Sequence, residues 1–497
     1  MSQPAPFQVE NSDAPALYEA LVGIGRAGYC EAAVCSRLGI EDITNLNWRE
    51  LPGYRDERLI LRDSLTLAID LFLLQGALPV AELERLLPAM SRDVLLRTGI
   101  LGIDEEGIVR ARASLYPVGT RLVFSDHAWP ELPHPRYAAT PYNHVMAVGV
   151  DSRQLAHATV RRPVQLALDL CTGSGVHALL ASGQAERVVA VDINPRAVLC
   201  SRFNAHALGI TNLETIEGDL FEPIGDQHFD LITANPPFVP SPVSAVLFRD
   251  GGPAGEDIQK RIVAGLPHHL APGGIAQLVT ELGERDSVPI TCQLREWLGD
   301  APTDIYVLRL ARYTPAQYAI GHAKGSDYGT FLDSAGAWAR NLREQRFTSI
   351  VSVLIAFQWS SPECGPPWQR IDECPSPKRS AGVEIEETFV AERLARQPIL
   401  RGLLEGKRLR RSDPIARFDS AVLGTQGIPT KSRASRLGRA LTIEYDLDTV
   451  EHQLLDGMNG HIEATELFSL CRESHVDEAL ALDAIRSLLR KGLIAID

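Results

Sequence analysis

The chain has 497 residues, 45% hydrophobic and 23% charged, with a formal net charge of −14. That length exceeds one ordinary domain and the apolar content suffices for buried cores, while the acidity argues against nonspecific nucleic-acid binding. No apolar run approaches the roughly 18 residues of a membrane helix, no basic-then-apolar segment opens the sequence, and the eight cysteines form no CxxC pair, so a cytoplasmic protein with reduced thiols and no metal site is expected.

Residues 1–60 read as helical. Residues 61–115 have the order of a winged-helix module, with helices over 65–73, 79–87 and 91–96 and hairpin signals across 99–110 around Glu105-Glu106-Gly107. The next segment, 140–159, contains Tyr142 and His144, which either cover a pocket or supply a base. Val164–Leu170 is an apolar run of strand length. Cys171-Thr172-Gly173-Ser174-Gly175 follows it and opens an Ala/Leu-rich helix at Val176. Strand, glycine-rich turn and helix start form a βα unit whose backbone can approach a ligand closely. A second strand, 187–191, ends at Asp192, 23 residues after Asp169. A carboxylate about 20 residues beyond such a turn can accept hydrogen bonds from both hydroxyls of a ribose. Leu213–Glu217 then leads to Gly218-Asp219-Leu220, an acid suited to an adenine amino group beside an apolar side chain that can cover the ring.

The most informative stretch is 229–238, an apolar strand that runs into Asn235-Pro236-Pro237-Phe238. Two prolines fix φ at about −65° and donate no N–H, so the backbone is stiff and its carbonyls stay free to accept. With the Asn235 amide and the Phe238 ring beside them, these groups suit a planar –NH2, held by two acceptors and stacked on an aromatic plane. Further strands are expected at 274–279, 305–310 and 350–357. About 40 residues separate the last two, including Tyr313, Tyr318, Tyr328 and Trp338, and an insertion of that length serves as a lid or recognition element. Its aromatics either stack a base or pack the insertion's own core. Residues 359–385 are proline-rich and read as a linker.

Charge is uneven towards the C-terminus. Residues 401–440 hold ten basic side chains (Arg401, Lys407, Arg408, Arg410, Arg411, Arg417, Lys431, Arg433, Arg436, Arg439) against three acids. This island either grips phosphates or an acidic protein, or is a solvated face paired with neighbouring acids. Residues 441–497 reverse the balance, with twelve acids and four basic residues. There 461–470, 476–489 and 492–496 repeat the helix–helix–strand order, and Ser487-Leu488-Leu489-Arg490-Lys491-Gly492-Leu493-Ile494 echoes Val94-Leu95-Leu96-Arg97-Thr98-Gly99-Ile100-Leu101. That acidity favours protein contact over DNA for this end.

The motifs D-L-C-T-G-S-G, V-D-I-N-P, G-D-L-F and N-P-P-F resemble those of class I S-adenosylmethionine methyltransferases, in particular the protein-glutamine and guanine N-methyltransferases of the small-domain superfamily, and 248–257 (FRDGGPAGED) resembles the segment after N-P-P in the glutamine methyltransferases of release factors. The resemblance covers about residues 140–285. It implies an α/β, seven-stranded Rossmann-like domain over 121–358, with the insertion at about 313–347 between two antiparallel strands. Around it are expected a helical, winged-helix-like domain over 1–120, a linker with the basic island over 359–440 and a winged-helix-like domain over 441–497. It implies S-adenosylmethionine as methyl donor, bound by Asp169, Cys171, Thr172, Gly173, Gly175, Asp192, Ile193, Asp219, Leu220 and Asn235, with Asn235, Pro236, Pro237 and Phe238 at the acceptor. Cys171 stands where the family has its first glycine, which makes the turn less permissive; its thiol is either a small buried group or a reactive one. The implied activity is N-methylation of a planar amide or amino nitrogen on a protein, peptide or small molecule. Two alternatives remain: an RNA guanine or adenine N-methyltransferase, and a noncatalytic cofactor-binding interaction protein with partners at its terminal domains.

Overall fold

The computed structural model describes residues 5–127, 143–243, 246–286, 288–360, 365–412, 415–420, 431–436, 438–458 and 461–497. At its centre is one eight-stranded sheet, numbered here β1 (Val164–Leu170), β2 (Ala185–Asp192), β3 (Leu213–Glu217), β4 (Phe229–Ala234), β5 (Leu270–Glu284), β6 (Thr303–Tyr313), β7 (Ser349–Trp359) and β8 (Gln369–Glu373). The order across the sheet is β3-β2-β1-β4-β5-β7-β6-β8. Neighbours from β3 to β5 are parallel, β7 runs antiparallel to β5 and β6, and β8 lies parallel to β6. β1 and β4 are covered on both faces, which explains their near-continuous apolar runs. Strand order reverses between them, and a crevice beyond their C-terminal ends is the ligand position of such sheets.

The eighth strand corrects the expected count of seven. Gln-Arg-Ile-Asp-Glu has no apolar alternation to mark it as a strand. It is held at the sheet edge by backbone pairing with β6 and by the Tyr306 hydroxyl, which donates to Asp372 at 2.9 Å. Between β6 and β7, two helices, Pro315–His322 and Tyr328–Glu344, form the insertion. Both begin at side-chain caps, Thr314 with Gln317 and Asp327 with Thr330, because a short polar oxygen at the helix start satisfies an otherwise unpaired N–H.

The N-terminal region contains a helix from Ser64 whose last turn widens at Ile69–Leu73. It is followed by a strand (Ala77–Pro79), two helices (Val80–Leu86 and Ala89–Arg97) and two strands (Leu101–Ile103 and Ile108–Ala111), with Ile108–Ala111 in the middle of the sheet. A hairpin of Ser114–Val118 and Arg121–Ser125 comes next, so the expected boundary at 120 falls inside its turn. That hairpin fastens the region to the central domain. Phe124 packs edge-on against Phe203 of helix Pro195–Ala207 with centroids 5.6 Å apart, and Asn204 completes its backbone pairing through bonds of 2.8 Å to Phe124 N and O. One hydrophobic core includes Phe72, Phe124, Leu179 and Phe203 and thus spans both regions.

The stretch 359–440, expected as a linker, is folded over most of its described length. Helix Ala381–Ala395 lays Ala381, Ile385 and Phe389 against the central sheet, and a Cβ at Gly382 would come within 2.3 Å of Thr159 O. Strand Arg408–Arg411 fills the middle of a three-stranded sheet between His461–Glu463 and Ile494–Ile496. Residues from either side of the acidic C-terminal segment's expected limit therefore build one module. Its charge pattern hid this, since a strand of three arginines and one leucine resembles a solvated basic run. No helix of the described residues is long and apolar enough to cross a membrane.

Candidate active site

Beyond β1 the backbone passes through Cys171, Gly173 and Gly175 at φ of +54°, +56° and +84°. Glycine adopts such angles freely, whereas Cys171 pays a steric penalty there. Gly175 is also a close approach, since a Cβ on it would lie 2.5 Å from Ser201 Oγ. Asp169 braces the turn from beneath. It is 1% exposed and accepts from Thr172 Oγ1 (2.6 Å), Thr233 Oγ1 (2.7 Å) and Ala178 N (3.2 Å), while burial lifts its pKa to about 6. Burial pushes the Cys171 thiol well up, so it stays protonated and is a poor nucleophile.

Cys171, Thr172, Gly173, Asp192, Ile193, Asp219, Leu220 and Asn235 line one cavity at the C-terminal ends of β1 to β4, whereas Asp169 and Gly175 lie behind it. Asp192 accepts from Gly173 N at 2.8 Å and from Asn194 N at 2.9 Å, and burial raises its pKa. The carboxylate thus joins the glycine turn to the strand beside it. Asp219 accepts from Arg261 at 2.9 Å, and Leu220 enters the wall at φ +53°.

Asn235 follows β4. Its Nδ2 donates to Ser152 Oγ at 3.1 Å, and among the described residues nothing donates to its Oδ1 or to the Pro236 carbonyl. Pro237 borders the cavity; Pro236 and Phe238 do not. Phe238 packs instead on a cluster containing Tyr318, Trp338, Leu342 and Phe347, which the insertion builds. The returning segment 248–257 holds the loop in place, with Val239 N donating to Arg249 O (2.9 Å) and Gly251 N to Val239 O (3.0 Å). A Cβ at Gly255 would sit 2.3 Å from Phe238 O, so only glycine permits this approach. Within the insertion Tyr318 and Trp338 are core, while Tyr328 is 77% exposed. Tyr318 also donates to Glu281 Oε2 at 2.5 Å, and burial, reinforced by Asp151, lifts the Glu281 pKa to about 7.

The roof is formed by the segment after Asn143; Tyr142 lies outside the described residues. His144 is buried, tilted over Phe248 with centroids 5.4 Å apart and 3.6 Å from Asp126, and burial holds its pKa below the ordinary value. Asp126 also accepts from Val145 N (2.9 Å) and Arg196 Nε (3.2 Å), tying the roof to the helix after β2. Ser152, Asp126, Thr233 and His177 escape the sequence reading. Ser152 sits inside a run already marked for its position, and His177 is two residues beyond Gly175, yet a lone serine or histidine signals nothing until its neighbours are known. Among the basic island, Arg401 pairs with Glu478 (2.6 Å), Arg410 with Asp497 (3.0 Å), Arg433 with Glu444 (2.6 Å), and Arg436 and Arg439 with Glu387 (3.0 and 3.5 Å). The side chains of Arg417 and Lys431 lie outside the described residues.

Residues 148–290 match the family model described as the methyltransferase small domain. A ribosomal protein uL3 glutamine methyltransferase of Bradyrhizobium diazoefficiens is 39% identical over 133 residues, 24% of this chain and 41% of that protein. A release factor glutamine methyltransferase of Geobacter sulfurreducens is 33% identical over 156 residues, 28% of this chain and 54% of that protein. A putative protein N5-glutamine methyltransferase of Methanocaldococcus jannaschii is 32% identical over 130 residues, 24% of this chain and 65% of that protein. The chain spans about half the length of the curated relatives it matches. Residues 148–290 of the central domain, with the strand order and motif positions described above, are thus similar to the methyltransferase small domain.

Proposed function

We propose that this protein is an S-adenosylmethionine-dependent N-methyltransferase whose acceptor is a planar amide nitrogen on a protein, a glutamine side chain being the best fit. The observation that carries the reading is Asn235. Ser152 engages its donor end, so its oxygen is left to accept, at the edge of a cavity that also contains Asp192 and Asp219.

The cavity residues fit the cofactor. An ionised carboxylate offers about four acceptor positions. Asp192 uses up to three on the backbone N–H groups of Gly173, Asn194 and Ile193, which leaves at least one for a ribose hydroxyl. Asp219 and Leu220 supply an acceptor and an apolar wall for the base, and the roof over His144 limits water. Bound there, the cofactor supplies an electrophilic methyl group on a sulfonium.

The chain's own task is to present the acceptor. An amide nitrogen has its lone pair delocalised into the carbonyl. Asn235 Oδ1 and the Pro236 carbonyl each accept one N–H, which orients the nitrogen and stabilises the positive charge that develops on it, as preorganised dipoles do for an oxyanion with the sign reversed. No base is needed before attack, because the methylated nitrogen is acidic and loses its proton afterwards. Phe238 and the insertion form the acceptor side. The names of the relatives support a protein glutamine as acceptor. The pairing of half the basic island with acids removes the main feature that favoured RNA. The two terminal modules have winged-helix-like order and are read here as protein-docking domains.

Methyl-labelled S-adenosylmethionine with fractionated cell extract tests the acceptor class, and label in protein at a glutamine is expected. Label confined to RNA would sink the assignment. Asn235→Ala should leave cofactor affinity within a few-fold and slow single-turnover methylation by roughly 10²–10³. An unchanged rate would remove Asn235 from the chemistry.

A further inference from the structure

We infer that His177 is a binding residue for the amino-acid arm of S-adenosylmethionine, a contact that rests on the cofactor reading above. His177 is the second residue of helix Val176–Ala181, is 5% exposed and lines the cavity that holds Asp192 and Asn235. Both ring nitrogens are buried and have no hydrogen-bond partner among the described residues. Leaving such groups unpaired is costly, and folded proteins rarely tolerate it without a bound molecule to pair them. Thr172, Ser174 and Asp169, the other buried polar residues of this turn, include two that are paired with each other. His177 stands apart.

The ring's state defines what it can bind. Burial, with the nearby charge of Arg161, pushes its pKa down to about 3, so it is neutral at any ordinary pH. A neutral imidazole has one donor and one acceptor nitrogen. A zwitterionic amino acid is complementary to that pair: its carboxylate accepts from the N–H and its ammonium donates to the bare nitrogen. Position narrows the choice. Asp219 and Leu220 close the cavity from the end of β3, on the nucleoside side. The helix bearing His177 packs on helix Val150–Ala158, whose Ser152 holds Asn235. The sulfonium carries the methyl group, the adenosyl group and the amino-acid chain together. The arm that stays near the N-P-P-F side when adenosine occupies the Asp192 side is therefore the amino-acid arm.

The test uses the full chain, titrated calorimetrically with two probes that share the nucleoside. S-Adenosylhomocysteine has the amino-acid arm, and 5′-methylthioadenosine lacks it. His177→Leu should weaken S-adenosylhomocysteine about 10-fold or more, as expected for a hydrogen bond to a charged group, while 5′-methylthioadenosine changes less than about twofold. His177→Asn, which keeps a donor and an acceptor, should recover most of the loss. Equal weakening of both probes would mean a merely structural role, and unchanged affinity for both would mean no contact; either overturns the inference. If the unsubstituted protein binds neither probe, the cofactor reading itself fails, an outcome visible before any variant is made.

Discussion

The N-terminal and C-terminal modules share a local pattern and differ in how they are attached. Each has a helix, a short strand, two helices and a three-stranded sheet, and each turns out of its last helix through a left-handed glycine, Gly99 at φ +76° and Gly492 at φ +65°. Val94, Leu95, Ile100 and Leu101 are buried in one, and Leu488, Leu489, Leu493 and Ile494 in the other. The first completes its sheet from its own hairpin. The second takes its middle strand, Arg408–Arg411, from about 50 residues upstream of the neighbouring His461–Glu463. The first shares an apolar core with the helices that border the cavity at Asp192 and Asn235. The second keeps a core of its own, meets the central one through Tyr445, which packs on both, and adds an ionic joint: Glu392, 0% exposed, accepts from Arg370 of β8 (3.2 Å), Arg396 (3.1 Å) and Arg490 of the last helix (2.9 Å). One sequence pattern thus serves two purposes, and among the described residues the N-terminal copy is the one that shares a core with the helices at the site.

The largest effects should separate the two attachments. Phe203→Ala deletes a buried ring between Phe7 and Phe124 on the helix that follows Asp192. A loss of about 3–5 kcal/mol is expected, accompanied by several-fold weaker cofactor binding. Glu392→Ala removes a fully buried carboxylate shared by three guanidinium groups, of which buried Arg370 keeps Asp372 at 2.7 Å, and should cost about 1.5–3 kcal/mol, yet cofactor affinity measured below the melting transition should hold. Equal cofactor losses in both variants would erase the distinction.

Smaller effects sharpen the likeness. Gly99→Ala and Gly492→Ala each force a side chain into a left-handed conformation, at about 1–2 kcal/mol, and matched decreases in chemical-denaturation midpoint would show that the two turns are equivalent. A larger loss at Gly492 would show that Arg436, whose Nη1 lies 2.5 Å from where the new Cβ would sit, does not move aside.

A further effect concerns pH and belongs to the central domain. The Glu281 pKa is lifted from the ordinary 4.5 to about 7 by burial. Between those values the folded protein binds a proton that the unfolded chain does not, so this group's stabilising contribution is complete below about pH 4.5 and is lost as pH rises towards 7. The slope is at most about 1.4 kcal/mol per pH unit for one proton. Glu281→Gln should flatten the melting profile across that window, and Asp169, raised to about 6, should leave a residual slope of the same sign. An unaltered profile would remove Glu281 as its source.

Much of the central domain was legible in the sequence because its signals are local. β1 and β3 begin and end where the apolar runs do, and the glycine turn, Asp192, Asp219 and Asn235 each follow the strand expected of them. The N-terminal helices and hairpin lie within a few residues of their expected positions. β8 and Arg408–Arg411 were hidden because edge and borrowed strands satisfy their backbones through partners far along the chain, with side chains that read as solvated. Phe238 could be named but not oriented, since its position depends on the cluster of Tyr318 and Trp338 about 80 to 100 residues away.

The sequence by itself determined the order of strand, turn and acid around the cavity, and the stiff N-P-P-F loop beside it, because φ restriction, apolar runs and spacing act within a few residues. Tertiary structure alone decided that Ser152 holds Asn235, that Asp169 braces rather than lines the cavity, that half of the basic island pairs with Glu387, Glu444, Glu478 and Asp497, and that His177 is buried with no hydrogen-bond partner among the described residues. Those outcomes depend on which side chains meet across the fold, and on how burial there changes the worth of a charge or a hydrogen bond.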